Sequence, residues 1–344
     1  MSRICRASFV AAAALLSPLL FGNLLATGAE KYASFGKIER KDPRFDKLVS
    51  KDAHMEQLAE GFEWSEGPVW IKDGGYLLFS DIPRNSVMKW KDGEGITLFM
   101  KPSGYTGVVD YGREPGSNGL TLDPQGRVVF CEHGDRRVSR LEKEGGKKTL
   151  VDNYQGKRLN SPNDVTFKSN GDMYFTDPPY GLPKNFDDPR RELAFCGVYR
   201  LAKDGQVTLL TKEMTRPNGI AFSPDERTLY VAQSDPEAAI WRAFEVNSDG
   251  TLGKSRVFFD ATAWAKAGRK GLPDGMKVDQ AGNLFATGPG GVHVFAADGT
   301  HLGTFDTDQP TANCAWGDDG HTLYITANNF LVRVKLETKG KPAG

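Results

Sequence analysis

Cysteine is scarce: the 344-residue chain has four, and Cys5 lies in a leader-like segment, leaving Cys131, Cys196 and Cys314. Three thiols cannot all pair within one chain, and no close Cys spacing is present, so a disulfide framework is excluded. A single bridge stays open beside the simpler expectation of three buried, unpaired thiols. An excess of either charge is lacking too, since 44 Lys and Arg balance 44 Asp and Glu. The basic residues are scattered, so the electrostatic footprint of a nucleic-acid or anionic-membrane binder is missing. The most apolar stretch, inside the first thirty residues, is short and interrupted by Pro18, which argues against a membrane span. There is no Gly-x-Ser-x-Gly elbow, so the serine-nucleophile chemistry of that motif is not expected.

Glycine and proline, by contrast, are plentiful at 39 and 19 residues, as a protein of many tight turns requires. Around Asn218-Gly219 the chain reads as a short apolar run (Ile220 to Phe222), a Ser223-Pro224-Asp225 turn, and a second run from Leu229 to Ala232. A hairpin this short cannot bury its faces alone. The same unit recurs at Gly67 to Ser80, Asn118 to Phe130, Asn163 to Phe175, Asp274 to Ala286 and Asn313 to Ile325. The anchor positions 66, 118, 163, 218, 274 and 313 are unevenly spaced around a constant core unit. Repeats of about 40–50 residues with roughly four strands each indicate propeller blades. The expected fold is an all-β, six-bladed β-propeller with an axial metal site.

The boundaries read as follows. Residues 1–29 have a charged start (Arg3, Arg6), an apolar stretch and a small-residue exit near Ala29, which predicts a secretory signal and a secreted or periplasmic protein. Residues 30–60 form an N-terminal extension that wraps the outside or closes a blade, 61–338 the propeller, and 339–344 a frayed tail. Blade one is expected over Gly61 to Lys91, completed by a strand from either end of the chain. FSDIPRNSVMKW and CEHGDRRVSRLEKEG read as outer hairpins, and Ala261 to Gly271 as a short helix. The long loop from Lys101 to Gly116 is either functional or a simple surface excursion.

The residue before each inner strand forms a column: Glu66, Asn118, Asn163, Asn218, Asp274 and Asn313. Every one carries a side-chain oxygen. Equivalent positions on six blades lie on a ring around the axis, so these groups converge. Two carboxylates and four amides suit Ca2+; Mg2+ or Mn2+ can substitute, and Zn2+ is the poorest match because it prefers nitrogen and sulfur. The competing reading is that Asn-Gly and Asp-Gly serve only as turn formers.

The motifs Ser65-Glu66-Gly67-Pro68, Ser161-Pro162-Asn163-Asp164, Arg216-Pro217-Asn218-Gly219 and Leu272-Pro273-Asp274-Gly275-Met276 resemble the senescence-marker-protein/gluconolactonase family. Tyr174-Phe175-Thr176-Asp177-Pro178 and Cys131-Glu132-His133-Gly134 are similar to its bacterial branch. The resemblance runs from Gly61 to about Val334. It implies a lactone hydrolase with Glu66, Asn163, Asn218 and Asp274 as metal ligands and Asp274 also as general base. Asn118 and Asn313 are then pocket groups. The implied chemistry is attack of water on a metal-polarised lactone carbonyl, with a small-molecule lactone as partner. Other lactones, aryl esters or phosphotriesters, or binding without turnover around a structural ion, remain open. Further candidate substrate contacts are His133, Tyr105, Asp177 and Tyr180. Against these stand loop ordering for His133, packing for the two tyrosines, and turn capping before Pro178 for Asp177. Arg136 and Arg137 are either contacts for an acidic sugar or a solvated tip.

Overall fold

A computed structural model describes residues 31–340; the leader reading of residues 1–29 lies outside the described residues. Tyr32 onward forms one compact unit. Six antiparallel sheets, each of four or five strands, make up the blades, together with a two-stranded hairpin at Asn153–Tyr154 and Lys157–Arg158. Blade one comprises Ser65–Ile71, Tyr76–Asp81, Ser86–Lys91 and Gly95–Met100. The inner strands of blades two to six are Ser117–Leu122, Val165–Phe167, Pro217–Phe222, Met276–Val278 and Thr311–Gly317. Among the described residues no helix is long and apolar enough to cross a membrane.

Apolar side chains fill the space between neighbouring blades. Val69, Leu78 and Val87 of blade one meet Leu120 and Phe130 of blade two. Val129, Cys131 and Val138 meet Val165, Phe175 and Tyr199 of blade three. Alternate residues on each strand reach the two flanking cores, which is why Val128–Glu132 is buried along its whole length. The three described thiols are buried and free, matching the unpaired expectation.

The ring is closed by the N-terminal extension. The last three strands, Thr311–Gly317, Thr322–Ala327 and Phe330–Lys335, take Met55–Glu60 as their fourth, with Ala33–Phe35 beyond it. Lys37–Arg40 adds an outer strand to blade five. The propeller therefore starts well before residue 61, and blade six is the composite one. Blade one is complete within Ser65–Met100, because its fourth strand Gly95–Met100 follows directly in the chain. The two hairpins expected at the outer edge are the second and third strands of their blades. The C-terminal segment is tied down up to residue 340: Glu337 N–H donates to Leu48 O, Gln280 N–H to Lys339 O, and Thr338 Oγ1 to Asp279. The helix near 261–271 is the short Thr262–Lys266.

Candidate active site

Each anchor residue sits where the inner strand is irregular. Register shifts fall between Glu66 and Val69, Ser117 and Leu120, Pro217 and Ile220, and Thr311 and Asn313. In blades three and five the ladder begins just after Asn163 and Asp274. A bulge of this kind turns a side chain out of the alternating pattern, here toward the axis.

The glycines following four of the anchors are explained by close approach, not by turn geometry. A Cβ on Gly119 would stand 2.6 Å from Asn163 O, on Gly219 2.2 Å from Asp274 O, and on Gly275 1.9 Å from Asn313 Cγ. Gly67 adds a positive φ of 52° to a contact of 2.1 Å with Asn118 O. Four of the six blades thus press closely on the next anchor, and a side chain at any of these glycines would push the ring apart. A ring of hydroxyls reinforces this from the second strands: Ser80 donates to Asn118 O, Thr176 to Asn218 O and Thr287 to Ala312 O. This Ser/Thr column was visible in the sequence at a fixed place in the repeat but was not among the candidates.

The anchors open onto one cavity of about 400 Å³. Glu66, Asn118, Asn163, Asn218, Asp274 and Tyr180 line it, so the four ligand candidates come together with two of the substrate-contact candidates. Its rim adds Trp64, Glu114, Arg216 and Ser234, none of which the sequence singled out as site residues. Both ionisable members had a weak signal: Arg216 lies two residues before Asn218, and Glu114 lies in the long 101–116 loop.

The remaining candidates lie behind the wall. Asn313 Nδ2 donates to Glu66 Oε2 at 3.2 Å while its Oδ1 accepts from Cys314 N–H, so it holds the carboxylate from behind. His133 is fully buried; Asn118 Nδ2 donates to its Nε2 at 3.3 Å, and Glu114 Oε2 lies 3.4 Å from its Nδ1. Asp177 accepts from the backbone N–H groups of Asn160 and Ser161, both at 2.8 Å. Asp81 does the same for Glu63 and Trp64 in blade one, so the clasp occurs on the segments entering two of the anchors, Glu66 and Asn163. Tyr105 packs on Tyr111, ring centroids 4.5 Å apart. Arg136 donates to the carbonyls of Leu159, Asn160 and Arg190, and Arg137 pairs with the buried Glu132; neither is a solvated tip.

The electrostatics of the cavity favour a cation. Asn118 Oδ1, Asn163 Oδ1, Asn218 Oδ1 and Asp274 Oδ1 are all buried without a hydrogen-bond partner. Four orphaned oxygens on one cavity represent a desolvation cost that an ion would offset. Burial, with the charge of Asp164 nearby, pushes Glu66 up to about 8. Burial and the facing charges of Glu66, Asp164 and Glu114 hold the Asp274 carboxyl well above its usual range. Among the described residues no group of three or more His, Cys, Asp or Glu side chains could hold a metal; the donors here are two carboxylates supplemented by amides, an oxygen-only set of the kind hard cations take.

The sequence profile of the SMP-30/Gluconolactonase/LRE-like region matches residues 64–329. The chain belongs to this family. Within it, the chain is 42% identical over 316 residues to a gluconolactonase of Zymomonas mobilis, covering 90% of this chain and 88% of that one. It is 28% identical over 268 residues to a pentonolactonase of Haloferax volcanii, covering 76% and 80%. A gluconolactonase structure from Xanthomonas campestris superposes with a TM-score of 0.77 at 33% identity, covering 90% of this chain and 97% of that chain. The family resemblance and the six-bladed fold read from the sequence both stand.

Proposed function

We propose that this protein is a gluconolactonase-type hydrolase that opens a sugar lactone in the axial cavity with the help of one divalent cation, Ca2+ being the best match. The observation that carries the reading is the convergence of Glu66 and Asp274 with the unpartnered oxygens of Asn118, Asn163 and Asn218 on one cavity, in a chain similar to lactone hydrolases. Glu66, Asn163, Asn218 and Asp274 would hold the ion, and Asn118, with an equally orphaned oxygen, is a fifth donor. When bound, a divalent cation supplies Lewis-acid polarisation of the lactone carbonyl and offsets the two carboxylates.

The chain's own residues do the rest. Gly67 N–H and Asn313 Nδ2 both donate to Glu66 Oε2, fixing the carboxylate against the axis. Asp274 is held by its backbone N–H on Thr287 O at 3.0 Å, with Oδ1 free toward the cavity. Asp274 takes the proton of a water as the water oxygen bonds to the carbonyl carbon. The ring C–O bond then breaks, and the proton passes to the departing ring oxygen. The product is the open-chain hydroxy acid, and no covalent enzyme intermediate forms. Export through residues 1–29 is a separate part of the proposal and rests on the leader pattern alone.

The test is hydrolysis of D-glucono-δ-lactone by the purified protein, with metal content measured before and after chelation. Chelation is expected to abolish turnover and added Ca2+ to restore it. Asp274→Asn should lose about 100-fold or more in kcat, within the ~10²–10⁴-fold range for general-base removal. Full turnover in the metal-free protein, or an active Asp274→Asn variant, would overturn the reading.

A further inference from the structure

The cavity lining includes one carboxylate, Glu114, and one guanidinium, Arg216, that the hydrolytic step does not use. Glu114 is delivered by the 101–116 loop. That loop is held at both ends: Asn85 Oδ1 accepts from Ser103, Gly104 and Tyr105 N–H, while Pro115 O and Gly116 O accept from Gly134 and His133 N–H. Its carboxylate is backed by His133. Asn118 Nδ2 stands 3.3 Å from its Nε2, and its Nδ1, buried and without a hydrogen-bond partner, faces Glu114 Oε2 at 3.4 Å. The side chain is 38% exposed, so its other oxygen stays available.

Arg216 comes from the segment entering the blade-four inner strand. Its guanidinium lies over the Phe186 ring, 5.2 Å from the centroid, and it lines the same cavity. Among the described residues no carboxylate forms an ion pair with it, nor with Arg191, which lies over the same ring. The charge of Asp235 is near enough to feel Arg216, but no carboxylate closes an ion pair with it, and a guanidinium held over a ring and lining a cavity is a donor kept for a ligand. Trp64 adds an aromatic face at the rim, of the kind that packs against the C–H side of a sugar.

Resting on the lactonase reading, we propose that Glu114 and Arg216 are the specificity-determining pair that reads the hydroxyl groups of the substrate. Glu114 accepts from hydroxyl hydrogens and Arg216 donates to hydroxyl oxygens. The ligand class is a neutral polyhydroxylated lactone. A lactone with its own carboxylate would gain from Arg216 but meet the like charge of Glu114, and a bare alkyl lactone would leave both charged groups unmatched.

The experiment compares kcat/KM for D-glucono-δ-lactone and for unsubstituted δ-valerolactone in the Ca2+-loaded wild type and in Glu114→Gln, Glu114→Ala and Arg216→Met. The wild type should favour the sugar lactone, and each variant should reduce that ratio about tenfold or more, as loss of a hydrogen bond to a charged group does. The loss should fall mainly on KM for the sugar, with Glu114→Gln milder than Glu114→Ala. Thermal unfolding identifies any variant that fails to fold, and the isosteric Glu114→Gln keeps the test decisive. A ratio unchanged within twofold in all three variants, with both lactones still opened, overturns this inference and leaves the lactonase reading intact. A wild type that opens neither lactone overturns both.

Discussion

At the scale of single residues, Asp177 shows how a motif residue can be structural. Burial pushes its carboxyl up to about 7 from an ordinary 3.8, against the pull of the Asn160 and Ser161 N–H groups and of Arg136. A folded pKa above the unfolded one gives a stabilising contribution below about pH 4, which is lost as pH rises through about 7. Asp177→Asn removes that dependence but offers one oxygen to two N–H donors. The variant is expected to melt below the wild type at pH 4, with the gap narrowing toward pH 7. A gap that widens over that range, in melts at pH 4, 5.5 and 7, would refute the assignment. The sequence placed Asp177 in the right motif but could not show its role, because the clasp is made to backbone groups seventeen and sixteen positions earlier. The six-membered column was legible because symmetry multiplies a weak signal. Glu114 was not, because it belongs to one loop and has no counterpart in the other blades. Glu132, beside the quoted His133, was likewise unreadable: it is a buried carboxylate gathering Ser139, Arg137 and Lys147.

At the scale of elements, the strand Met55–Glu60 closes the ring with Phe330–Lys335, running antiparallel from Phe330 opposite Glu60 to Val334 opposite Met55 with a register shift between Leu331 and Val332. Met55 is 1% exposed and packs in the core with Phe305, Val332 and Val334. Met55→Ala is expected to cost about 2–5 kcal/mol, the usual range for truncating a buried Met. Urea unfolding measures it, and a cost below about 0.5 kcal/mol, the scale of a surface substitution, would mean that the closure is dispensable. This strand escaped the sequence reading for a physical reason. Outer strands are only partly buried, so MEQLAE lacks the continuous apolar run that marked the inner strands.

At the scale of the whole molecule, the cavity joins side chains from blades one to five, so a cation held there ties most of the ring together. Ca2+ at about 100 times its Kd should stabilise the fold by about 2.7 kcal/mol. Calorimetry with Ca2+ and with chelator should therefore show a clear upward shift of Tm, which Glu66→Gln should diminish. An unchanged Tm would place any bound metal elsewhere. The blade count was legible from repeat spacing alone, since every blade must start an inner strand at the axis. The seam was not, since it pairs segments some 270 positions apart with no repeat to flag them. The placement of that seam also governs when the protein can finish forming. During translation the strand at 55–60 leaves the ribosome early and has only the three-residue strand Ala33–Phe35 beside it until Phe330–Lys335 follows. A product terminated before this strand, however many complete blades it has, would stay an open arc with apolar blade faces uncovered and the 55–60 edge bare, prone to join a second arc instead of closing on itself.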